Sequence, residues 1–342
     1  MKTINKIDVH HHIFPEEYVT ALKDAGVKNS LGVDFPKWTV ETSFKKMKEN
    51  GIKIAMLSIS SPGVYFKGID FPDGFSEKLA RQTNEIIANT KNKYPERFGG
   101  FATIPMLNQE AAIEELNYAL DALHLDGVCL MTNYSGKYLG DEFFEPFFKE
   151  LNKRNAVVYI HPNDPGDAFD FKLGIPNALV EVTFDTTRTV ANMMYRGVLD
   201  RYPNIKYILS HGGGTIPFLA WRLAGIEYGQ KDKKPPIIRT FYDFLVNGEP
   251  TKGLNHLRKM YYDTAVVSGE YAVKTLQAFA GPDNIVFGSD LCINKLAAIA
   301  TKNLKKDGDF TDEEYNKMSY GNCLELFPEF EKYYNLAICL SR

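Results

Sequence analysis

The sequence predicts an α/β fold, a (β/α)8 TIM barrel with loop insertions and C-terminal helices. Three observations carry that expectation. Eight short β-rich runs recur along the 342 residues. Helical patterns separate them. Several of the runs are almost wholly apolar, as suits parallel strands covered by helices on the outside. A barrel of this kind needs about 250 residues, so the surplus length is expected in insertions. A doubly wound open sheet is the alternative topology.

The strands are expected in this order: Lys6 to His10, Ile52 to Ile59, Phe98 to Pro105, Gly127 to Met131, Ala156 to His161, Ile205 to His211, Met260 to Thr264, and Asn284 to Asp290. Between them, Ser76 to Lys93 places Leu79, Ile86 and Ile87 on one helical face, and Asn108 to Leu123 repeats Ala112, Leu116, Ala119, Leu120 and Leu123 at helical spacing. Glu142 to Arg154 and Thr187 to Tyr202 read as helices in the same way. Pro95, Pro203 and Pro282 each stand just before a strand, where a helix has already ended. The insertions are expected at Gly63 to Gly74, Asn163 to Leu179 and Gly229 to Thr251, and the tail from Leu296 is expected to pack as helices outside the barrel. Residues 1–342 are expected to form a single domain.

Composition narrows the function. With 44% hydrophobic and 24% charged residues the chain can bury a large core and needs no disulfides. Forty basic and 43 acidic side chains leave a net charge of only -3, which argues against nucleic-acid or membrane-surface partners held by general electrostatics. Four cysteines, Cys129, Cys292, Cys323 and Cys339, form no CxxC pair. No apolar run is long enough to span a bilayer, and no apolar signal core follows Met1 to Lys6, so a reducing cytoplasm is the expected location.

The chemistry is expected at strand ends. Of the seven histidines, His10, His11, His12, His161 and His211 fall at the C-terminal ends of predicted strands, and Asp290 ends the eighth. In a (β/α)8 barrel those ends form the catalytic face. His10 and His12 are two apart on a strand, so both side chains point to one face while His11 points to the other, toward the barrel wall. His161 and Asp290 would complete a set of nitrogen and oxygen donors suited to one divalent ion, expected as Zn2+ or Mn2+, with iron also compatible with these ligands. The bland reading is a set of hydrogen-bonded core histidines. His211, followed by Gly212-Gly213-Gly214-Thr215, is expected to move protons beside the metal or to serve as a further ligand. That glycine run lacks the Lys-Ser/Thr ending of a phosphate loop. His124 and His256 read as ordinary surface or packing residues.

The motifs Ile7-Asp8-Val9-His10-His11-His12, Ile160-His161-Pro162, Ser210-His211-Gly212-Gly213-Gly214 and Phe287-Gly288-Ser289-Asp290 resemble those of the amidohydrolase superfamily, in the branch of aminocarboxymuconate semialdehyde decarboxylase and γ-resorcylate decarboxylase. Within that branch, Leu57 to Val64, Thr132 to Asp141 and Phe184 to Arg188 are most similar to the 6-methylsalicylate decarboxylase group. The resemblance implies His10, His12, His161 and Asp290 as metal ligands and His211 as a catalytic histidine. It matches Arg222 to an arginine lent to a neighbouring subunit's active site, which implies a homodimer or higher homo-oligomer. Two departures stand out. Ser43 occupies the position of a substrate-gripping arginine, and Leu291-Cys292-Ile293 replaces an aromatic-proline turn after Asp290.

The function expected from this reading is metal-dependent, non-oxidative decarboxylation of a small hydroxy-aromatic, salicylate-type carboxylic acid. Asp290 would donate the proton, with His211 steering it. Tyr134, Phe184 and Trp221 are candidate apolar neighbours of the substrate, and Arg222 a candidate substrate contact. The alternative is a metal-dependent hydrolase of a lactone, amide or ester using a metal-activated water. A barrel that binds metal without catalysis is a third reading.

Overall fold

The computed structural model describes residues 5–30, 32–65, 73–165, 174–224, 251–291 and 296–334. Eight strands form one parallel sheet in sequence order: β1 (Lys6–His12), β2 (Ile52–Ser58), β3 (Phe98–Thr103), β4 (Gly127–Met131), β5 (Val157–His161), β6 (Lys206–Leu209), β7 (Tyr261–Asp263) and β8 (Ile285–Val286). Neighbours pair in register, with Lys6 opposite Ile52, Met131 opposite His161 and Tyr262 opposite Ile285. The sheet closes on itself. The Val9 N–H donates to Phe287 O at 3.0 Å, and the Asp290 N–H donates to His10 O at 2.9 Å.

Asp8 reinforces that seam from the side. Its Oδ1 accepts from the Ser289 N–H at 2.8 Å and the His10 N–H at 3.1 Å, and its Oδ2 accepts from the Ser289 hydroxyl at 2.6 Å. A buried carboxylate bonded in this way offsets its own desolvation and fixes the meeting of the first and last strands.

Helices cover the outside: α1 (Glu16–Asp24), α2 (Val40–Asn50), α3 (Phe75–Lys93), α4 (Gln109–Asn117), α5 (Glu145–Lys153), α6 (Glu181–Tyr195), α7 (Val198–Arg201), α8 (Ile216–Ala224), α9 (Thr251–Arg258), α10 (Glu270–Ala280) and α11 (Ala297–Gly308). Local chemistry sets several of their ends. A Thr39–Thr42 capping box starts α2, and left-handed Gly51 ends it directly before β2. Asn108 caps α4. On β3, Phe98 packs outward against Phe44 of α2, while Phe101 stacks inward on Tyr159 with ring centroids 5.4 Å apart. Alternation along one strand thus separates shell from interior.

Three expectations need correction. The sixth and eighth strands end before His211 and Asp290, because both residues take positive φ, 53° and 56°, and leave the ladder. The helix expected from Thr187 to Tyr202 begins at Glu181 and is split at Gly197, whose φ is 71°. The tail forms helices as expected but also enters the barrel's N-terminal end. Phe327 packs on Phe101 with ring centroids 5.9 Å apart, and a Cβ at Gly99 would lie 2.6 Å from the Phe330 ring. The expected insertions fall largely on residues outside those described.

Asp8→Ala is expected to lower unfolding stability by about 3 kcal/mol, since it leaves the buried Ser289 and His11 donors unpaired. Urea denaturation should show a lower midpoint with an unchanged slope.

Candidate metal centre and active site

His10 and His12 project from β1 into the barrel, and His161 joins them from the end of β5. Their Nε2 atoms converge. His10 Nε2 stands 2.9 Å from His12 Nε2, which stands 3.1 Å from His161 Nε2. Asp290 Oδ1 lies 3.6 Å from His10 Nε2 and 3.8 Å from His12 Nε2. The donor atoms of His10, His12 and His161 all lie within 4.8 Å of one another, as do those of His10, His211 and Asp290.

The outer ring nitrogens determine which way the lone pairs point. His10 Nδ1 faces the Asp263 carboxylate at 2.8 Å, and His161 Nδ1 faces the Pro162 carbonyl at 2.9 Å. Those oxygens only accept, so each Nδ1 carries the proton and each neutral ring aims an Nε2 lone pair inward. Asp290 Oδ1 is buried without a hydrogen-bond partner. Converging lone pairs and an unpartnered carboxylate oxygen are unfavourable in a low-dielectric cup unless a cation sits among them. The donor set therefore fits a divalent cation with imidazole and carboxylate ligands.

The electrostatics agree. Burial holds His12 and His161 well below the ordinary histidine range, and the adjacent imidazoles push them further down. Burial also opposes protonation of His10, but the Asp263 and Asp290 carboxylates outweigh it and raise that group. Burial pushes Asp290 up, yet His10 and His211 outweigh it and hold the group below its usual value. The cup thus favours neutral His12 and His161, whose lone pairs are available, beside an ionised Asp290.

His211 stands on the opposite side of Asp290, with Nε2 3.8 Å from Oδ2. Its Nδ1 is buried without a partner. Its left-handed backbone is pinned by its N–H, which donates to Asp263 Oδ1 at 2.7 Å. The glycines that follow let the turn press on α6. At Gly214, with φ of 67°, a Cβ would meet Thr183 O at 2.0 Å.

Asp263 is the functional residue that the sequence reading passed over. It holds the His10 ring, the His211 backbone, the Ala265 N–H at 3.0 Å and the Tyr159 hydroxyl at 3.1 Å. Its signal was present, since an acid stands one residue before the end of the seventh predicted strand, much as Asp290 ends the eighth.

His11 lies off the site, as its alternation on the strand requires. Its Nδ1 bonds Asp8 at 3.2 Å and its Nε2 faces Ser43 Oγ at 2.9 Å, which also accepts from Trp38 Nε1 at 2.9 Å. Ser43 is thus wholly buried between α2 and β1. His256 bonds Asp200 on the surface at 3.0 Å, and His124 sits in a left-handed turn.

A cavity of about 860 Å3 opens from the cup, with His161, His211 and Asp290 at its inner end. Two expected substrate neighbours are displaced from it. The Tyr134 hydroxyl accepts from the Met131 N–H at 3.0 Å and its ring packs against Phe144, which places it in the wall behind the described lining. On α6, Val182 and Thr183 line the cavity, while the helical rotation of about 100° per residue carries Phe184 to the exposed side. Arg222 and Trp221 are exposed on α8 and are likewise absent from the described lining.

The amidohydrolase family profile matches residues 7–328. A decarboxylase of Aspergillus niger, yanB, is 35% identical over 342 residues, covering 96% of this chain and 89% of the relative. The 6-methylsalicylic acid decarboxylase of Penicillium expansum is 34% identical, covering 95% and 97%. A solved structure named as an amidohydrolase II superposes with a TM-score of 0.81 at 27% identity, covering 94% of this chain and 99% of that one.

Asp263→Asn should weaken divalent-metal affinity by about 10- to 100-fold, because an amide no longer enforces the His10 tautomer. Competition against a chromogenic chelator measures it.

Proposed function

We infer that this chain, which belongs to the amidohydrolase family, is a metal-dependent carboxy-lyase that decarboxylates a small hydroxy-aromatic, salicylate-type acid without oxidation. The observation that carries this reading is the inward-facing cup of three imidazoles and a carboxylate beside His211, at the inner end of a largely apolar cavity. The relative acting on 6-methylsalicylic acid spans nearly the same length at 34% identity and supports the substrate class.

His10, His12, His161 and Asp290 would hold the cation, which we assign as zinc or manganese. When bound, it would supply Lewis-acid chemistry, polarising the oxygens of the substrate and offsetting negative charge as the ring loses aromaticity. The chain's own residues handle the proton. The carbon–carbon bond to the carboxylate breaks, carbon dioxide leaves, and the ring carbon takes a proton in its place. Asp290 reaches both the cup and the cavity, which suits it to deliver that proton. Its neighbours favour its ionised form, and His211, whose Nε2 is 3.8 Å from Oδ2, is placed to return the proton to it. Asp263 keeps His211 and His10 in mutual register during the exchange.

Arg222, exposed on α8, is assigned to a neighbouring subunit's site in a homodimer or higher homo-oligomer. We take residues 1–342 as one barrel domain. Among the described residues no helix is long and apolar enough to cross a membrane. Free, buried Cys129 and Cys323 suit a reducing cytoplasm.

Zinc- or manganese-loaded enzyme should release carbon dioxide from 6-methylsalicylate, and in deuterium oxide the phenol should carry one deuterium at the vacated ring carbon. Chelation should abolish turnover and metal should restore it. Asp290→Asn should lower kcat by about 100-fold or more, the range of a lost proton donor. An Asn variant at full rate refutes that assignment.

A further inference from the structure

We propose that the cavity selects salicylate-type acids whose ring carries an apolar chain longer than a methyl group, an inference that rests on the decarboxylase reading of the site. The cavity is larger than the proposed reaction needs. At about 860 Å3 it lies near the top of the range, about 300–1,000 Å3, of pockets that enclose drug-sized ligands. A single ring held at the cup occupies only its inner end.

The lining changes character along its length. The ionisable His161, His211 and Asp290 mark the inner end, and the other polar groups of the described lining are mostly hydroxyls. Beyond them the wall is built by apolar side chains from separate elements, among them Val33 and Phe35, Val267, and Leu276 of α10. Exposure gives the direction of the channel. Leu276 is 3% exposed, whereas Leu179 is 65% and Tyr271 89% exposed at the mouth. An apolar chain lying along this path would bury its own surface and cover apolar side chains that otherwise meet water.

Charge narrows the choice further. The described lining contains no Lys or Arg, and its charged group away from the inner end is Asp34. A second anionic group at the far end of the substrate would find no cationic partner among the described lining residues, where Asp34 is a further anion. The chemistry that fits is one acid at the cup and a neutral, apolar chain toward the mouth.

The test compares salicylate, 6-methylsalicylate and 6-pentylsalicylate as substrates of the metal-loaded enzyme, beside calorimetric binding of the product phenols 3-methylphenol and 3-pentylphenol. Each buried methylene is worth about 4-fold, so the pentyl acid should exceed the methyl acid in kcat/KM by at least about 10-fold. Leu179→Glu, a change at an exposed position, should shrink that ratio to about 3-fold or less by placing charge along the chain's path. If the methyl acid is turned over as well as or better than the pentyl acid, the chain inference falls and the decarboxylase reading stands. If the ratio is large but Leu179→Glu leaves it untouched, the route assigned to the chain is wrong. If no acid releases carbon dioxide, the decarboxylase reading fails and the phenols decide the rest. Binding of 3-pentylphenol at least about 10-fold tighter than 3-methylphenol then upholds the apolar channel, and equal binding overturns it.

Discussion

The arrangement around His10 governs the rest of the site. Its Nδ1 proton is held by Asp263 at 2.8 Å, which leaves its Nε2 lone pair facing His12, and beyond it His161, across about 3 Å. Several acceptors cannot be packed this closely in a water-poor interior without a compensating positive charge. The energetic demand for a cation is thus built into the fold before any cation binds. The raised pKa of His10 and the lowered pKa of Asp290 express the same demand in protons.

The bonds that assemble the site also close the barrel. Asp8 joins β1 to the segment after β8 through Ser289, and it fixes His11 on the far face of the strand that presents His10 and His12. Asp263 links β7 to β1, to Tyr159 of β5 and to the turn after β6. Two buried carboxylates therefore tie together strands that are distant in sequence. Local strain accompanies this. His211 and Asp290 both sit at positive φ, a conformation that costs about 1–3 kcal/mol for residues other than glycine and that surrounding bonds must enforce. Gly214 supplies the close approach to Thr183 that lets the turn after His211 seat itself.

The cavity complements the cup. Its largely apolar walls lower the polarity around the inner end, which strengthens electrostatic interactions there. A polar cup set against apolar walls suits chemistry in which a carboxylate leaves as neutral carbon dioxide and the ring must be held in place while charge moves. Selectivity between related acids is then left to the walls, where the described residues offer shape and apolar surface in place of cations.

The sequence by itself determined the architecture and the donor types. Near-continuous apolar runs marked the eight strands, and strand-end histidines pointed to the catalytic face because a period of two assigns His10 and His12 to one side and His11 to the other. Several features were decided only in three dimensions. The ends of β6 and β8 depended on left-handed turns at His211 and Asp290, a conformation that these residue types tolerate better than most but that only surrounding bonds select. The role of Asp263 depended on partners from β1, β5 and the turn after β6, far away in the chain. Tyr134 and Phe184 looked like substrate neighbours from their types alone, but helix rotation and the hydrogen bond from Met131 turned them elsewhere. Periodicity reports which face of its own element a residue occupies. What that face meets is settled by long-range packing, and so the side chains that converge in the cup were legible in the sequence while the layer that orients them was not.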